Sequence, residues 1–131
     1  MFTKYFSVSP LYAEQWSRLV EHREAIARMN PYRAAKAMRG VAFDKFHAME
    51  HPYPSKIEIL EKYGHDGKQT HHLIRVDDFL TRFQAGESYE SCMRPSEHLV
   101  DEMQAYKRQE IPLDVARVRA REVLDHVTKI T

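Results

Sequence analysis

Apolar residues recur at intervals of three and four along most of this chain, and the pattern is punctuated by prolines and glycines. That periodicity predicts helices. Ser9-Pro10 offers a cap followed by a first-turn proline, whose missing N–H costs nothing at that position. Leu11, Tyr12, Trp16, Leu19, Val20, Ile26 and Met29 then follow at helical spacing. Asn30-Pro31 repeats the start signal, and Tyr32, Ala35, Met38, Ala42, Phe43, Phe46 and Met49 form a second stripe. Two prolines between Glu50 and Ser55 predict a loop. Ser55 is placed to cap a short helix through Ile57, Ile59, Leu60 and Tyr63, which Gly64 ends.

Asp66-Gly-Lys-Gln69 has the form of a capping box, with an oxygen acceptor at the cap and a glutamine three residues on. The helix it opens carries Leu73, Ile74, Val76, Phe79, Leu80 and Phe83, and Gly86 suits its C-terminal cap. Residues 87–93 are ambiguous and admit a short extended piece. Pro95-Ser96 restarts a helix with Leu99, Val100, Met103 and Tyr106. Ile111-Pro112 breaks it, and Leu113, Val115, Val118, Val123, Leu124, Val127 and Ile130 make the last stripe. Five or six helices with short connections predict an all-α fold, a single compact domain over residues 1–131. The apolar stripes are expected to be core.

Composition narrows the class. With 131 residues, 43% apolar and 30% charged, the chain has enough apolar surface to fold, which excludes a disordered tail. A net charge of +1 excludes a wholly polybasic nucleic-acid binder. The single Cys92 allows no intrachain disulfide and no Cys-rich zinc module, so a reducing compartment is expected. Met1–Ser7 lacks the apolar core of a signal peptide, and no stretch approaches membrane-spanning length. These features predict a cytoplasmic protein without a membrane partner. Charge is nevertheless uneven. Residues 18–45 carry seven basic and three acidic side chains, against twelve and fourteen in residues 51–131. Such an excess either attracts phosphate, nucleic acid or an acidic protein, or is a solvated helix face.

Few residues suggest chemistry. Neither a Rossmann nor a P-loop fingerprint is present. His98 and Glu102 stand four apart but give only two metal ligands, and the adjacent His71 and His72 point too far apart to share an ion. Cys92 reads as an ordinary thiol. The helix opening at Asp66 is more informative. Lys68, His72, Arg75 and Phe79 lie four, three and four apart, along one face near the helix N-terminus. With the free N–H groups and the helix dipole, they make a candidate anion site. The competing reading is a solvated stripe in which Arg75 pairs with Asp77 or Asp78.

The run Tyr63-Gly-His-Asp-Gly-Lys-Gln-Thr-His-His-Leu-Ile-Arg75 resembles a Gly-x-Asp-x-Lys-x-x-x-His-Leu-x-Arg segment. That segment belongs to predicted nucleotidyltransferases of the DNA polymerase β superfamily, found in bacteria and bacteriophages. Asn30-Pro-Tyr-Arg-Ala-Ala-Lys-Ala-Met-Arg-Gly40 is similar to the family's helix ending in Arg-Gly. Ala85-Gly-Glu87, Arg94-Pro95 and Lys107-Arg108 before Leu113 follow in the family's order, so the resemblance spans roughly residues 5–125. The departures are Gly67 and Gln69, Val76-Asp77 in place of further apolar residues, and Gln109 where glycine commonly follows Lys-Arg.

The resemblance implies the helical C-terminal half of such an enzyme. The family's catalytic half, a Gly-Ser turn and metal-binding carboxylates, has no counterpart here. The adjacent Asp77-Asp78 pair lies on a helix and does not match the catalytic pattern. The expected function is binding of nucleotide or nucleic-acid phosphate by Lys68, His72 and Arg75, with Arg39, and no catalytic centre of the chain's own. No cofactor is expected, and Mg²⁺ would enter only with a partner subunit carrying the catalytic half. A different class is a small phage-encoded module that binds or inhibits a host protein complex through the basic 18–45 segment or the Asp77/Asp78 face. Direct nucleic-acid binding is a third reading, resting on the local charge and the tyrosines.

Overall fold

A computed structural model describes residues 8–131. The Met1–Ser7 segment, and with it the first residues of the resemblance, lies outside the described residues. A 3-10 turn at Pro10–Tyr12 precedes α1 (Ala13–Glu21) and α2 (Arg23–Ala27). Then come α3 (Pro31–Ala48), α4 (Ile57–Tyr63), α5 (Gly67–Gln84), α6 (Tyr89–Cys92), α7 (Glu97–Lys107) and α8 (Leu113–Ile130). The protein is all-helical, as the periodicity requires. Among the described residues there are eight α-helical segments rather than five or six. The first apolar stripe is cut at His22, where the backbone leaves helical geometry, and the ambiguous residues 87–93 hold the one-turn α6 rather than an extended piece. Ser88 caps that turn by accepting from the Ser91 N–H.

Some capping signals act where the sequence puts them, but Ser9 makes no side-chain cap bond, and Ser55 lies within a 3-10 turn (Pro54–Lys56) that leaves Lys56, not Ser55, at the cap of α4. Asn30 accepts from the Arg33 N–H at the start of α3, and Gly64, at φ +83°, ends α4 in the left-handed region. At the end of α5 the Gly86 N–H donates to the Phe83 carbonyl and the Glu87 N–H to the Arg82 carbonyl. Those two bonds are a Schellman cap, and Gly86 sits in the left-handed position it demands, at φ +98°. The same pair of bonds closes α7, from Gln109 to Tyr106 and from Glu110 to Ala105. There the left-handed residue is Gln109, at φ +60°.

α5 is the hub, packed against α3, α7 and α8. Its Leu73, Ile74, Val76, Leu80 and Phe83 are buried, so it is apolar on several sides and must be enclosed. α3 meets it through Ala35, Ala42 and Met49, seven residues apart, and α8 through Ala116, Ala120, Val123, Leu124 and Val127. The alanines let the helix axes approach closely. The Asp66 N–H donates to the Met49 carbonyl at 2.8 Å, so the end of α3 meets the start of α5 and the two helices run antiparallel.

Not every predicted stripe is core. α1 and α2 bury no residue, and Leu11, Tyr12 and Leu19 remain exposed. On α8, Val115 and Val118 also face solvent. α2 is held by polar bonds instead. Glu24 accepts from the Tyr89 and Glu90 N–H groups at 2.6 and 3.0 Å, and these bonds hold its carboxyl below the ordinary range. Arg23 pairs with Glu90 at 3.0 Å, while Arg28 donates to the Phe83 and Glu87 carbonyls and lies over the Phe83 ring.

Candidate phosphate-binding site

The N-terminus of α5 is already occupied by the protein's own acceptors. Asp66 caps the Lys68 N–H at 3.2 Å, and the Asp66 carbonyl accepts from the Gln69 N–H at 3.1 Å. The Gln109 amide oxygen takes the Gly67 N–H, while its NH₂ group donates to the His65 carbonyl at 2.8 Å. Gln69 donates to the Asp66 carboxylate at 3.1 Å instead of receiving the Asp66 N–H, which Met49 has taken. The box is therefore present with its second bond reversed. The expectation of free first-turn N–H groups fails here, because Asp66 satisfies two of them locally and Gln109 a third from across the fold. Gly67 has a packing reason as well. A Cβ there would overlap the Tyr106 carbonyl oxygen.

The basic face splits in two. Lys68 is exposed and His72 half-buried, and α3 brings Lys45 beside them. Burial depresses the His72 pKa below 6.5, and Lys45, His71 and Lys68 push it further in the same direction, against Asp66. Among the described residues neither the Lys45 nor the Lys68 ammonium has an ion-pair partner, since the nearby Asp66 is buried and bonded to Lys56 at 3.2 Å. Lys45 was not a sequence candidate for this site. Its place among seven basic residues of the 18–45 segment was the only signal for it.

Arg75 lies in a different setting. It donates to the Cys92 carbonyl at 2.5 Å, and its other terminal nitrogen stands 3.6 Å from Asp78. Burial lowers its pKa, with Asp78 opposing. The pairing with Asp78 that spacing allowed is thus formed. Asp78 also accepts from the Ser96 N–H at 2.9 Å, the Ser96 hydroxyl at 2.5 Å and Arg82 at 3.2 Å. Burial raises the Asp78 pKa, but the Ser96 bonds and Arg82 outweigh it, and the carboxyl sits below its ordinary value. Arg82 joins this network to Glu87 at 2.9 Å and to the Ser91 and Arg94 carbonyls. Arg39 is elsewhere again, exposed on α3 with its guanidinium 5.8 Å from the Phe43 ring centroid.

Beside Arg75 an open cleft of about 460 Å³ lies along α2, α3, α5 and α6. Met38, Phe79, Phe83, Tyr89 and Met93 give it apolar walls, with Arg75 on its lining. Phe79 and Phe83 stack at 5.5 Å, and Tyr89 meets both rings edge-on. On each helix seven residues separate this cleft from the cation cluster, Met38 from Lys45 and Phe79 from His72, or about 10 Å of helix rise.

The acidic residues do not converge. The Asp77 carboxylate meets His126 Nδ1 at 2.6 Å, whereas Asp78 is enclosed by Ser96 and Arg82. Glu102 pairs with Arg119 at 2.5 Å rather than with His98. His71 Nδ1 meets the Met103 carbonyl at 3.0 Å, so His71 and His72 engage different surroundings. Among the described residues no group of three His, Cys, Asp or Glu side chains is placed to hold a metal ion, and the donor set does not fit a two-metal centre. Cys92 is buried, and burial raises its thiol pKa, which keeps it an unreactive thiol. No described helix is long and apolar enough to cross a membrane.

A scan of protein-family models, a search of curated proteins and a search of solved structures each return no match to this chain.

Proposed function

We propose that this protein is a nucleotidyltransferase-like helical domain that binds the phosphate groups of a nucleotide and has no catalytic centre of its own. The observation that carries the reading is the cluster of Lys45, Lys68 and His72, in which two lysines lack a carboxylate partner among the described residues. Two like-charged ammonium groups beside a half-buried imidazole are unfavourable unless an anion screens them. Phosphate suits the site because lysines supply point charges and His72 adds a ring N–H. The apolar aromatic cleft along the same pair of helices favours a nucleotide over inorganic phosphate. Arg75 supports the cleft wall and does not reach for phosphate itself, and a partner subunit would have to supply any transfer chemistry.

Calorimetric titration with nucleoside triphosphates tests this. Wild type should bind, and Lys45→Ala/Lys68→Ala should lose at least about tenfold in affinity, since each charge-assisted contact contributes roughly 1.5–3 kcal/mol. Absence of binding, or binding indifferent to that double variant, overturns the reading.

A second reading is favoured by α1. Its main contacts among the described residues are with the preceding 3-10 turn and α2, and it exposes Leu19, while Leu11 and Tyr12 before it are also exposed. Exposed apolar side chains such as Leu11, Tyr12 and Leu19 along a helical segment are a protein-binding feature, as a module acting on a host complex would need. Pull-down with wild type and Leu11→Glu/Leu19→Glu distinguishes it. A stoichiometric protein partner lost in the variant supports this reading, and retention of the partner removes it.

A further inference from the structure

We infer that the outward stripe of α3, Tyr32-Lys36-Arg39-Phe43, is a surface for single-stranded nucleic acid, separate from the Lys45/Lys68/His72 cluster. These residues stand four, three and four apart, so they share one line along the helix. Tyr32 is 73% exposed and Phe43 44%, while Lys36 and Arg39 are exposed between them. The helix buries Ala35, Ala42 and Met49 on another side, and Lys45 faces the α5 groove, so the stripe is not part of either.

The pattern has a specific chemistry. Among the described residues neither Lys36 nor Arg39 forms an ion pair with a carboxylate, and Arg39 lies against the Phe43 face. The only carboxylate within α3 is Asp44, about 100° around the helix from Phe43. Two cations between two exposed rings match a strand that alternates phosphate with a stackable base. From Tyr32 to Phe43 the stripe runs about 16 Å, long enough to follow a few nucleotides. A duplex hides its base faces and would use only the charges. A protein partner would leave the alternation of ring and cation unexplained. Arg121 of α8, which lies 4.9 Å from the Phe46 ring centroid, places a further cation along this side of α3.

The test is fluorescence anisotropy with a labelled oligothymidylate and with a duplex of the same length. At low salt wild type should bind the single strand more tightly than the duplex. With three phosphates neutralised, log affinity should fall with log salt at a slope of about −2. Tyr32→Ala/Phe43→Ala should weaken single-strand binding about tenfold or more and leave duplex binding unchanged. Lys36→Gln/Arg39→Gln should weaken both. Tyr32→Ala/Phe43→Ala should leave nucleoside-triphosphate binding unchanged, which keeps this result independent of the nucleotide titrations. No binding at about 50 mM salt, or single-strand binding insensitive to loss of the two rings, overturns the inference.

Discussion

From the middle of α5 to its C-terminus, Arg75 and Arg82 flank Asp78, with Arg75 also donating to the Cys92 carbonyl and Arg82 to Glu87 and to the Ser91 and Arg94 carbonyls. In the N-terminal half, Lys68 and His72 meet Lys45 of α3, and the local carboxylate, Asp66, is spent on Lys56 and the helix cap. One helix thus carries two basic clusters with opposite histories. The first is neutralised by its own chain and fastens the α6 segment to the core. The second leaves positive charge unneutralised at the surface. The difference teaches that a basic stripe on a helix is not one site. Its members divide according to which neighbours carry acceptors.

The comparison predicts its largest effect at the neutralised end. Asp78→Ala removes the acceptor of two arginines and of Ser96, leaving half-buried Arg75 with the Cys92 carbonyl alone and Arg82 with Glu87 and two carbonyls. Breaking a buried pair in this way costs about 3–5 kcal/mol, to be read from urea denaturation. The folded fraction should still bind nucleotide. A loss of under about 1 kcal/mol would show that the network is solvated and structurally idle.

A smaller effect is expected at Gln109, which reaches the N-terminus of α5 from the loop after α7. Gln109→Ala leaves the Gly67 N–H and the His65 carbonyl without their partner and should cost about 1–3 kcal/mol. Gln109→Gly loses the same bonds but relieves the left-handed backbone, so it should be the milder by about 1 kcal/mol. If alanine and glycine are equally destabilising, backbone strain at this position is negligible.

The smallest effect on stability belongs to the unneutralised end. Lys45→Ala/Lys68→Ala should change stability by no more than about 0.5 kcal/mol while raising the His72 pKa, visible in an NMR titration of the ring. The sign also follows for pH. Because folding lowers the His72 pKa from 6.5, the unfolded chain binds more protons just below that value. Stability should therefore be complete above pH 6.5 and fall as acid charges the ring. An anion bound at the cluster should reverse the shift, and its affinity should rise toward acid pH. A His72 pKa that ignores removal of both lysines would break the comparison at this end.

Sequence alone determined where α3 and α5 begin and where α4 and α5 end, because caps are local chemistry. Asn30-Pro31, Asp66, Gly64 and Gly86 act within a few residues of themselves, and each does in the fold what its type and position require. Spacing also placed Lys68, His72 and Arg75 along one line of α5. Tertiary structure decided what that line meets. A 3.6-residue period fixes the angle between side chains on one helix but not which neighbour each angle faces. Cys92 and Asp78 engage Arg75, α3 contributes Lys45, and Arg39 lies on another surface, all through contacts made when α3, α6 and α7 pack around α5. Gln109 reaches the α5 cap from 42 residues away, a closure that no local pattern encodes. The first stripe, from Leu11 to Met29, shows the same limit from the other side. Its period was helical, yet burial needs an opposing apolar surface, and among the described residues none of its side chains is fully buried while Leu11, Tyr12, Leu19 and Met29 stay exposed.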